Sequence, residues 1–586
     1  MKLVLTVLNA KYIHSSLAVR CLRAYCRQEP VDTVLREYTI NNSLSDMLAD
    51  LYIQKPDVVG FSCYIWNIEM TLQLASMLRK ILPETLIVFG GPEVSYGSTD
   101  FLSHHPYIDY VVMGEGEKTL ASLLAALQNG EDVDDVSGLV YRNRTGDVVC
   151  NGVPQIISQM ADVPFAYDDN DLLDLQDKII YYESSRGCPF SCQYCLSSAA
   201  AGVRFLPVER VFAEMDFFIR HNVKQVKFVD RTFNARKTHC LAIWRYLAGV
   251  QCDTNFHFEI AAELLDDEML DFLATVPPGR FQFEIGVQST HEPTLTAIQR
   301  RNDWPLIVKN VQQILSHRNI HVHLDLIIGL PYENYECFSR SFNQVYGLQP
   351  DMLQLGFLKM LKGTGVREQA VDHGYVYMDQ APYEVLANRY LSYGEIRQLK
   401  IMEDLFEQLY NSGRFHHTLS WLIALYGKGA FAFYTAFAKY WEASGFHTRA
   451  HSPKALFRAI AAFCKSFAPE KQEICLQWLK FDALLHHAAS KDTDFLPWNG
   501  EEWLAEKSVL WRDIDTMQRY IPEYFFSNWR AVKNSYPIEV FSVNIPAYLR
   551  NGGPLRLENT PVLFYLTPQG WAYRSIREED FGMVKG

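Results

Sequence analysis

Three cysteines stand close together in RGCPFSCQYC, residues 186–195: Cys188, Cys192 and Cys195, spaced C-x3-C-x2-C. A structural zinc site takes four protein ligands, and a 4Fe–4S cluster usually takes four thiolates. Three cysteines leave one metal position open, and an open position is a place for something else to bind. The plainer readings are a zinc site completed by a distant ligand, or three buried structural thiols. The other cysteines, of twelve in all, are scattered through a long chain and form no disulfide framework. A reducing cytoplasm with one metal cluster fits this pattern better.

The elements that must position such a loop follow from the apolar runs. Up to about residue 145, KLVLTVLN, TVLREYTI, DVVGFSCYI, TLIVFGG and DYVVMG read as strands, with helical patterns such as LAVRCLRAYC and IEMTLQLASMLRKIL between them. Continuous apolar strands separated by helices predict a parallel sheet covered on both faces, a Rossmann-like doubly wound domain over 1–145. Ligands of such a domain sit beyond the carboxyl ends of its strands. Those ends carry Asn9 to His14, Ser62 to Trp66, Gly90-Gly91-Pro92-Glu93 and Gly114-Glu115-Gly116-Glu117. Residues 146–178, with prolines, acids and little period, read as a linker.

A second alternation covers 179–375. IIYYESSRG, QVKFVDRTFN, FHFEIAAEL, RFQFEIGVQS, HVHLDLIIGLP and MLQLGFLK read as six strands, with helices such as VERVFAEMDFFIRH and WPLIVKNVQQILSH between them. Six βα units predict a partial (β/α)6 barrel of the TIM type, its active site at the strand C-termini. The cysteine loop directly follows the first of these strands. Residues 380–586 read as a mostly helical C-terminal domain, from YEVLANRYLSYGEIRQLKIMEDLFEQLYNS onward, with strand-like PIEVFSVNI and TPVLFYLTP last and no legible chemistry. The fold class is α/β. The net charge of −13 argues against a non-specific nucleic-acid binder. No apolar run is long enough to span a membrane, and MKLVLTVLNAKYIH reads as a first strand rather than a signal peptide.

C-x3-C-x2-C after the first strand of a βα barrel, with Tyr194 before the last cysteine, resembles the signature of the radical S-adenosylmethionine (SAM) enzymes. The resemblance implies that Cys188, Cys192 and Cys195 bind three irons of a 4Fe–4S cluster and that SAM chelates the fourth, to be cleaved reductively to a 5′-deoxyadenosyl radical. It implies SAM contacts along the later strands. In VDRTFN these are Asp230 and Asn234. On the third strand Glu259 and Glu263 lie four apart in a period-two strand, so they share a face; of the two, Glu263 is the SAM candidate. In EIGVQS they are Glu284, Gly286, Gln288 and Ser289, the first three on one face, where a carboxylate suits ribose hydroxyls. In IIGLP, Gly329 would let adenine approach the backbone. Each also has a plainer reading as a strand-end turn or a surface charge.

The first domain resembles the cobalamin-binding domain found ahead of many such barrels, on the strength of GGPEVS and GEGE. The contacts this implies are Asn9, His14, Ser62, Tyr64, Trp66, Gly90, Gly91, Pro92, Glu93, Gly114, Glu115 and Gly116. The pattern Asp-x-His-x-x-Gly, which supplies a histidine to cobalt in other cobalamin proteins, is absent, so either His14 or no side chain lies under the metal. No G-x-G-x-x-G or Walker A loop is present. KYIHSSLA and LQLGFLKMLKGT extend the resemblance to a branch of cobalamin-dependent radical SAM proteins with a C-terminal helical extension. It implies methylation of an unactivated carbon via methylcobalamin. The alternatives are a radical cyclisation or rearrangement with the same cofactors, and a non-catalytic cobalamin or redox sensor. The partners implied are a small-molecule or peptide substrate and an electron donor such as flavodoxin or ferredoxin.

Overall fold

Val4 and Leu8 of the first strand enter one apolar cluster, and Leu3, Leu5 and Val7 enter another on the opposite face. A strand buried on both sides must be covered by helices on both sides, and the computed structural model has that architecture. It describes residues 1–199, 202–486, 493–499, 502–567 and 570–582. Its first sheet contains β1 (Lys2–Asn9), β2 (Asp32–Thr39), β3 (Val58–Ser62), β4 (Leu86–Gly90), β5 (Tyr110–Val112), β6 (Leu139–Arg142) and β7 (Val148–Cys150), in the order β2-β1-β3-β4-β5-β6-β7. The first five are parallel. β6 and β7 extend the sheet antiparallel, which the apolar pattern did not predict. β7 falls at the start of the stretch read as a linker. The helices are α1 (Leu17–Cys26), α2 (Leu44–Gln54), α3 (Ile68–Ile81), α4 (Ser98–His104) and α5 (Gly116–Asn129). The chain leaves β1 and β3 toward opposite edges of the sheet, which opens a crevice beyond their carboxyl ends.

After α6 (Asp169–Asp174) comes a six-stranded sheet in which β8 (Ile180–Tyr182), β11 (Gln225–Phe228), β12 (Asn255–Glu259), β13 (Phe281–Gln288), β14 (His321–Ile328) and β15 (Met352–Phe357) are neighbours in sequence order. All are parallel. Between β8 and β11 lies a small antiparallel ribbon of β9 (Ser185–Gly187) and β10 (Val203–Phe205), which brackets the cysteine loop. The helices between strands include α7 (Val208–Arg220), α8 (Lys237–Gly249) and α9 (Asp267–Leu273). β13 shows how the sheet faces are assigned. Phe281 and Phe283 pack on Trp244 of α8, so Glu284 and Gly286, of opposite parity, face the interior; the register shifts after Gly286, and the Gln288 amide lies over that glycine.

Two compact units divide the chain, Met1–Ile396 and Arg397–Gly586. The expected helix from Tyr383 does not form at its start. Val385–Ala387 is a short strand paired with Val376–Tyr377, and the helix begins at Tyr393. The backbone of 383–385 is instead tied to the end of β15: Met360 N donates to the Tyr383 carbonyl and Val385 N to the Leu358 carbonyl. The second unit is helical around an aromatic core, with Phe437 stacked on Phe463 at 4.1 Å, and carries a three-stranded antiparallel sheet of Ile538–Phe541, Thr560–Thr567 and Gly570–Ser575. Pro568, at the end of the expected strand TPVLFYLTP, lies outside the described residues. Among the described residues no helix is long and apolar enough to cross a membrane.

Candidate cofactor site

A cavity of about 590 Å³ lies at the crevice between β1 and β3, within the size range of small-molecule and cofactor pockets. Asn9, His14, Ser62, Tyr64, Trp66, Gly90, Gly91, Pro92, Gly114, Glu115 and Gly116 all line it. It is therefore walled by the segments after β1, β3, β4 and β5. Tyr181, Glu183, Arg186, Val229 and Arg231, from the strand ends of the second sheet, close its other side. The wall is predominantly apolar, and Tyr64 and Trp66 stack at 4.4 Å, nearly coplanar, with the Trp66 ring half exposed. A large, flat, mostly apolar ligand suits such a wall. Gly91 has φ +104°, and a Cβ there would sit 2.6 Å from the Cys63 carbonyl oxygen, so only glycine makes this turn.

Several polar residues expected to touch a cofactor are held by the fold instead. Glu93 does not line the cavity. It is buried, accepts a hydrogen bond from the Tyr383 hydroxyl and pairs with Lys362 Nζ at 2.8 Å. Glu115 lies at the rim but accepts from both guanidinium nitrogens of Arg204 and lies 3.4 Å from Arg186 Nη1. Burial pushes its carboxyl up, and the two arginines outweigh that and hold it below the ordinary carboxylate value. Arg186 also reaches Glu117 at 2.5 Å and Glu183 at 2.6 Å. The GEGE turn is thus ionically bound to the β9–β10 ribbon that brackets the cysteine loop. Asn9 donates to the His14 carbonyl at 3.2 Å and to Glu37 at 2.7 Å, which pins the loop after β1. His14 Nδ1 lies 2.6 Å from the Tyr181 hydroxyl. Burial, then Lys11 and Lys227, lower its pKa.

Each sulfur of the cysteine loop meets a polar neighbour. Cys188 Sγ lies 3.5 Å from Thr232 Oγ1, Arg300 Nη1 donates to Cys192 Sγ at 3.7 Å, and the Ser197 amide donates to Cys195 Sγ at 3.4 Å. Burial raises the Cys192 thiol pKa and Arg300 opposes it. Tyr194 is held by the same guanidinium, 3.3 Å from its hydroxyl. Gln193 anchors the loop by its backbone, its amide donating to the Ile298 carbonyl and its carbonyl accepting from Val366. Hydrogen bonds to sulfur and a nearby cation suit thiolates that carry a cluster. Among the described residues no three His, Cys, Asp or Glu side chains close around a point as the ligands of one ion do. Cluster thiolates stand on separate irons and need no such closure.

The expected SAM contacts divide in the same way. Asp230 is buried and accepts from the Ser184 amide (2.9 Å), Ser184 Oγ (2.7 Å) and Ser185 Oγ (2.5 Å), which clamps the turn just before the cysteine loop. Burial pushes its pKa up to about 6 against these bonds. Asn234 is buried and bonded twice to the Ala261 backbone. Ser289 is buried and donates to Glu333 at 2.6 Å. Gly329 is covered by the chain itself. Tyr375 and Asn388 donate to its carbonyl, and a Cβ there would lie 2.7 Å from Val385 Cγ1. Glu259 ends β12, but Glu263 sits in the 3-10 turn Ala262–Leu264, so strand parity does not put the two on one face. Glu284 faces the interior, bound to Lys227 (2.9 Å) and His257 (3.0 Å). Burial would raise its pKa, but these partners hold it well below the ordinary range. Gln288 remains uncommitted at one atom: its Oε1 is buried and has no partner among the described residues. A Cβ on Gly286 would lie 2.1 Å from Gln288 Nε2, so the amide packs directly over this glycine. An orphaned acceptor on the interior face beside the cysteine loop fits a bound SAM. Lys227, Arg186, Arg204, Arg231 and Arg300 were missed. Isolated basic residues near strand ends and turns carry no spacing signal.

Residues 3–124 match the B12 binding domain family, residues 182–345 the radical SAM superfamily, and residues 371–564 a family described as a protein of unknown function (DUF4080). The chain thus carries a B12 binding domain followed by a radical SAM domain. Its cofactors are those of the two domains: a 4Fe–4S cluster, SAM and cobalamin. It is 29% identical over 341 residues, 54% of this chain and 48% of the relative, to the cobalamin-dependent radical SAM methyltransferase TokK of Streptomyces tokunonensis. It is 26% identical over 327 residues, 53% of this chain and 63% of the relative, to the anaerobic magnesium-protoporphyrin IX monomethyl ester cyclase of Synechocystis sp.. Its fold is that of the cobalamin-dependent SAM radical enzyme OxsB, with TM-score 0.61 at 14% identity over 84% of this chain and 81% of OxsB. The chain spans about half the length of TokK and of the 2-(S-pantetheinyl)-carbapenam-3-carboxylate methyltransferase of Streptantibioticus cattleyicolor.

Proposed function

We propose that this protein is a cobalamin-dependent radical SAM methyltransferase acting on an unactivated carbon of a small molecule or peptide. The observation that carries the reading is the shared cavity. Its wall is built from strand ends of both sheets, and Arg231 on that wall is one residue from Thr232, which touches Cys188. Two cofactors held there face one reaction space. When bound, they supply a carbon-centred radical for hydrogen abstraction and a transferable methyl group.

The chain's own residues bind, orient and shield. Cys188, Cys192 and Cys195 hold the cluster, and Thr232, Arg300 and the Ser197 amide stabilise their sulfurs. Gln288 Oε1 and the interior face of β13 receive SAM. Tyr64, Trp66 and the glycine turns at Gly91 and Gly114 receive the flat corrinoid. The Glu115–Arg186–Arg204 network fixes the two sheets' strand ends relative to each other, as a transfer between two cofactors requires. A radical cyclisation with the same cofactors is the second reading, on the likeness to the Synechocystis cyclase.

The test is anaerobic. The full chain is reconstituted with iron, sulfide and hydroxocobalamin, desalted, and then incubated with reductant, SAM carrying a deuterated methyl group, and metabolite and peptide pools. About four irons and one cobalamin per chain, with a product that gains the labelled methyl, are expected. Four irons without retained cobalamin would sink the methyl-transfer reading. Release of 5′-deoxyadenosine with an unlabelled product of unchanged carbon count would favour cyclisation.

A further inference from the structure

Two arginines face the cavity, and they differ. Arg186 is enclosed by Glu183, Glu117 and Glu115. Arg231 is exposed to the cavity, and among the described residues its guanidinium has no hydrogen bond and no ion pair. Glu259 and Tyr64 lie within electrostatic reach of it, but neither pairs with it. Its backbone is nonetheless fixed on both sides. Asp230 is locked into the Ser184–Ser185 clamp, and Thr232 lies against Cys188 Sγ. A rigid strand end therefore presents one uncommitted guanidinium at the junction of the cysteine loop and the corrinoid cavity.

A cation facing a largely apolar wall is stabilised when an anion enters beside it, and the planar guanidinium fork matches a carboxylate or phosphate through two parallel hydrogen bonds. We infer that Arg231 anchors an oxyanion, a carboxylate or phosphate, of the substrate. The inference deepens the two-cofactor reading and rests on it for placing the substrate in this cavity. SAM's own carboxylate and the corrinoid tail phosphate share this chemistry, so the test separates the three sources.

The full chain carrying its cluster is titrated with inorganic phosphate by calorimetry at constant ionic strength. The titration is run without cobalamin, with hydroxocobalamin, and with hydroxocobalamin plus saturating SAM. The wild type is compared with Arg231→Gln and Arg231→Lys. The inference expects saturable phosphate binding in the wild type in all three states. Arg231→Lys should fall within about threefold of it and Arg231→Gln at least about tenfold weaker, with SAM affinity equal across the three proteins. Absence of phosphate binding in the wild type, or equal affinity in Arg231→Gln, overturns the inference. Loss of the phosphate site on adding SAM, with weaker SAM binding in Arg231→Gln, gives the guanidinium to SAM and also overturns it. Loss on adding cobalamin gives it to the corrinoid tail. Failure to retain cobalamin would count against the proposed function and still leave the phosphate titration readable.

Discussion

Replacing Arg300 by Met tests whether the cysteine loop is electrostatically built for a cluster. The guanidinium lies 3.7 Å from Cys192 Sγ and 3.3 Å from the Tyr194 hydroxyl, and it also donates to the Gly286 carbonyl. At an effective dielectric constant of about 20, a unit charge at that distance from the sulfur contributes about 4 kcal/mol. An electron added to a four-iron cluster is spread over it, so about a quarter of that falls at one corner, or about 1 kcal/mol. For a one-electron couple this is roughly 40 mV. The reduced, more negative state gains from the cation, so Arg300→Met should lower the midpoint potential by that order, and Arg300→Lys should recover most of the loss. The assay is an anaerobic redox titration followed by electron paramagnetic resonance, with iron and sulfide content measured for each protein. A midpoint unmoved within about 10 mV in a variant with full iron content would refute the assignment of Arg300 to the cluster.

Tyr383→Phe removes a hydrogen bond to the buried carboxylate of Glu93 and should cost about 1.5–3 kcal/mol of stability; an unchanged urea midpoint would contradict it. Gly329→Ala places a methyl 2.7 Å from Val385 Cγ1 at a residue with φ +94° and should cost about 1–3 kcal/mol. Val385→Ala should recover part of that, whereas strictly additive melts would show that the contact is not the cause. Asp482 is pushed up to about 7 by burial, against hydrogen bonds from Thr418 and His417. Its folded pKa lies above the unfolded value near 4, so its contribution is full below pH 4 and is lost as pH rises through 7. The stability of Asp482→Asn should therefore rise relative to the wild type between pH 5 and pH 8 in chemical denaturation, and parallel curves would refute the shift.

The strands were legible because their burial is two-sided or strictly alternating. KLVLTVLN is β1 from end to end, and the six runs of the second region became six parallel neighbours in sequence order. The cavity wall was legible because topology puts ligands beyond strand ends, and eleven of the twelve residues expected there do line it, Glu93 being the exception. What spacing does not show is which polar side chain the fold itself uses. Asp230, Asn234 and Ser289 occur where a ligand contact belongs, yet each satisfies backbone or hydroxyl groups that burial would otherwise leave unpaired. The strand at Val385–Ala387 was read as helix because its partners, Leu358 and Val376, come from other segments, and nothing local announces them.

This division also locates the chemistry. A cavity walled by two sheets keeps its shape only if the loops that form it are fixed, and fixing a loop consumes polar groups. Glu115, Glu117 and Glu183 are bound to arginines, Asp230 to serines, and Glu93 to Tyr383 and Lys362. Removing any of these should lower the stability of the fold. Among the described residues Gln288 Oε1 and the Arg231 guanidinium have no such commitment, and Arg231 is one residue from Thr232, which touches Cys188. A buried Gln288 acceptor without a partner carries a cost that a hydrogen bond would have removed, whereas the exposed Arg231 guanidinium keeps its water. That cost is offset when ligands arrive. Substitutions at Gln288 and Arg231 should therefore change ligand affinity while leaving the fold's stability nearly unchanged, the reverse of the pattern expected at Glu115 or Asp230.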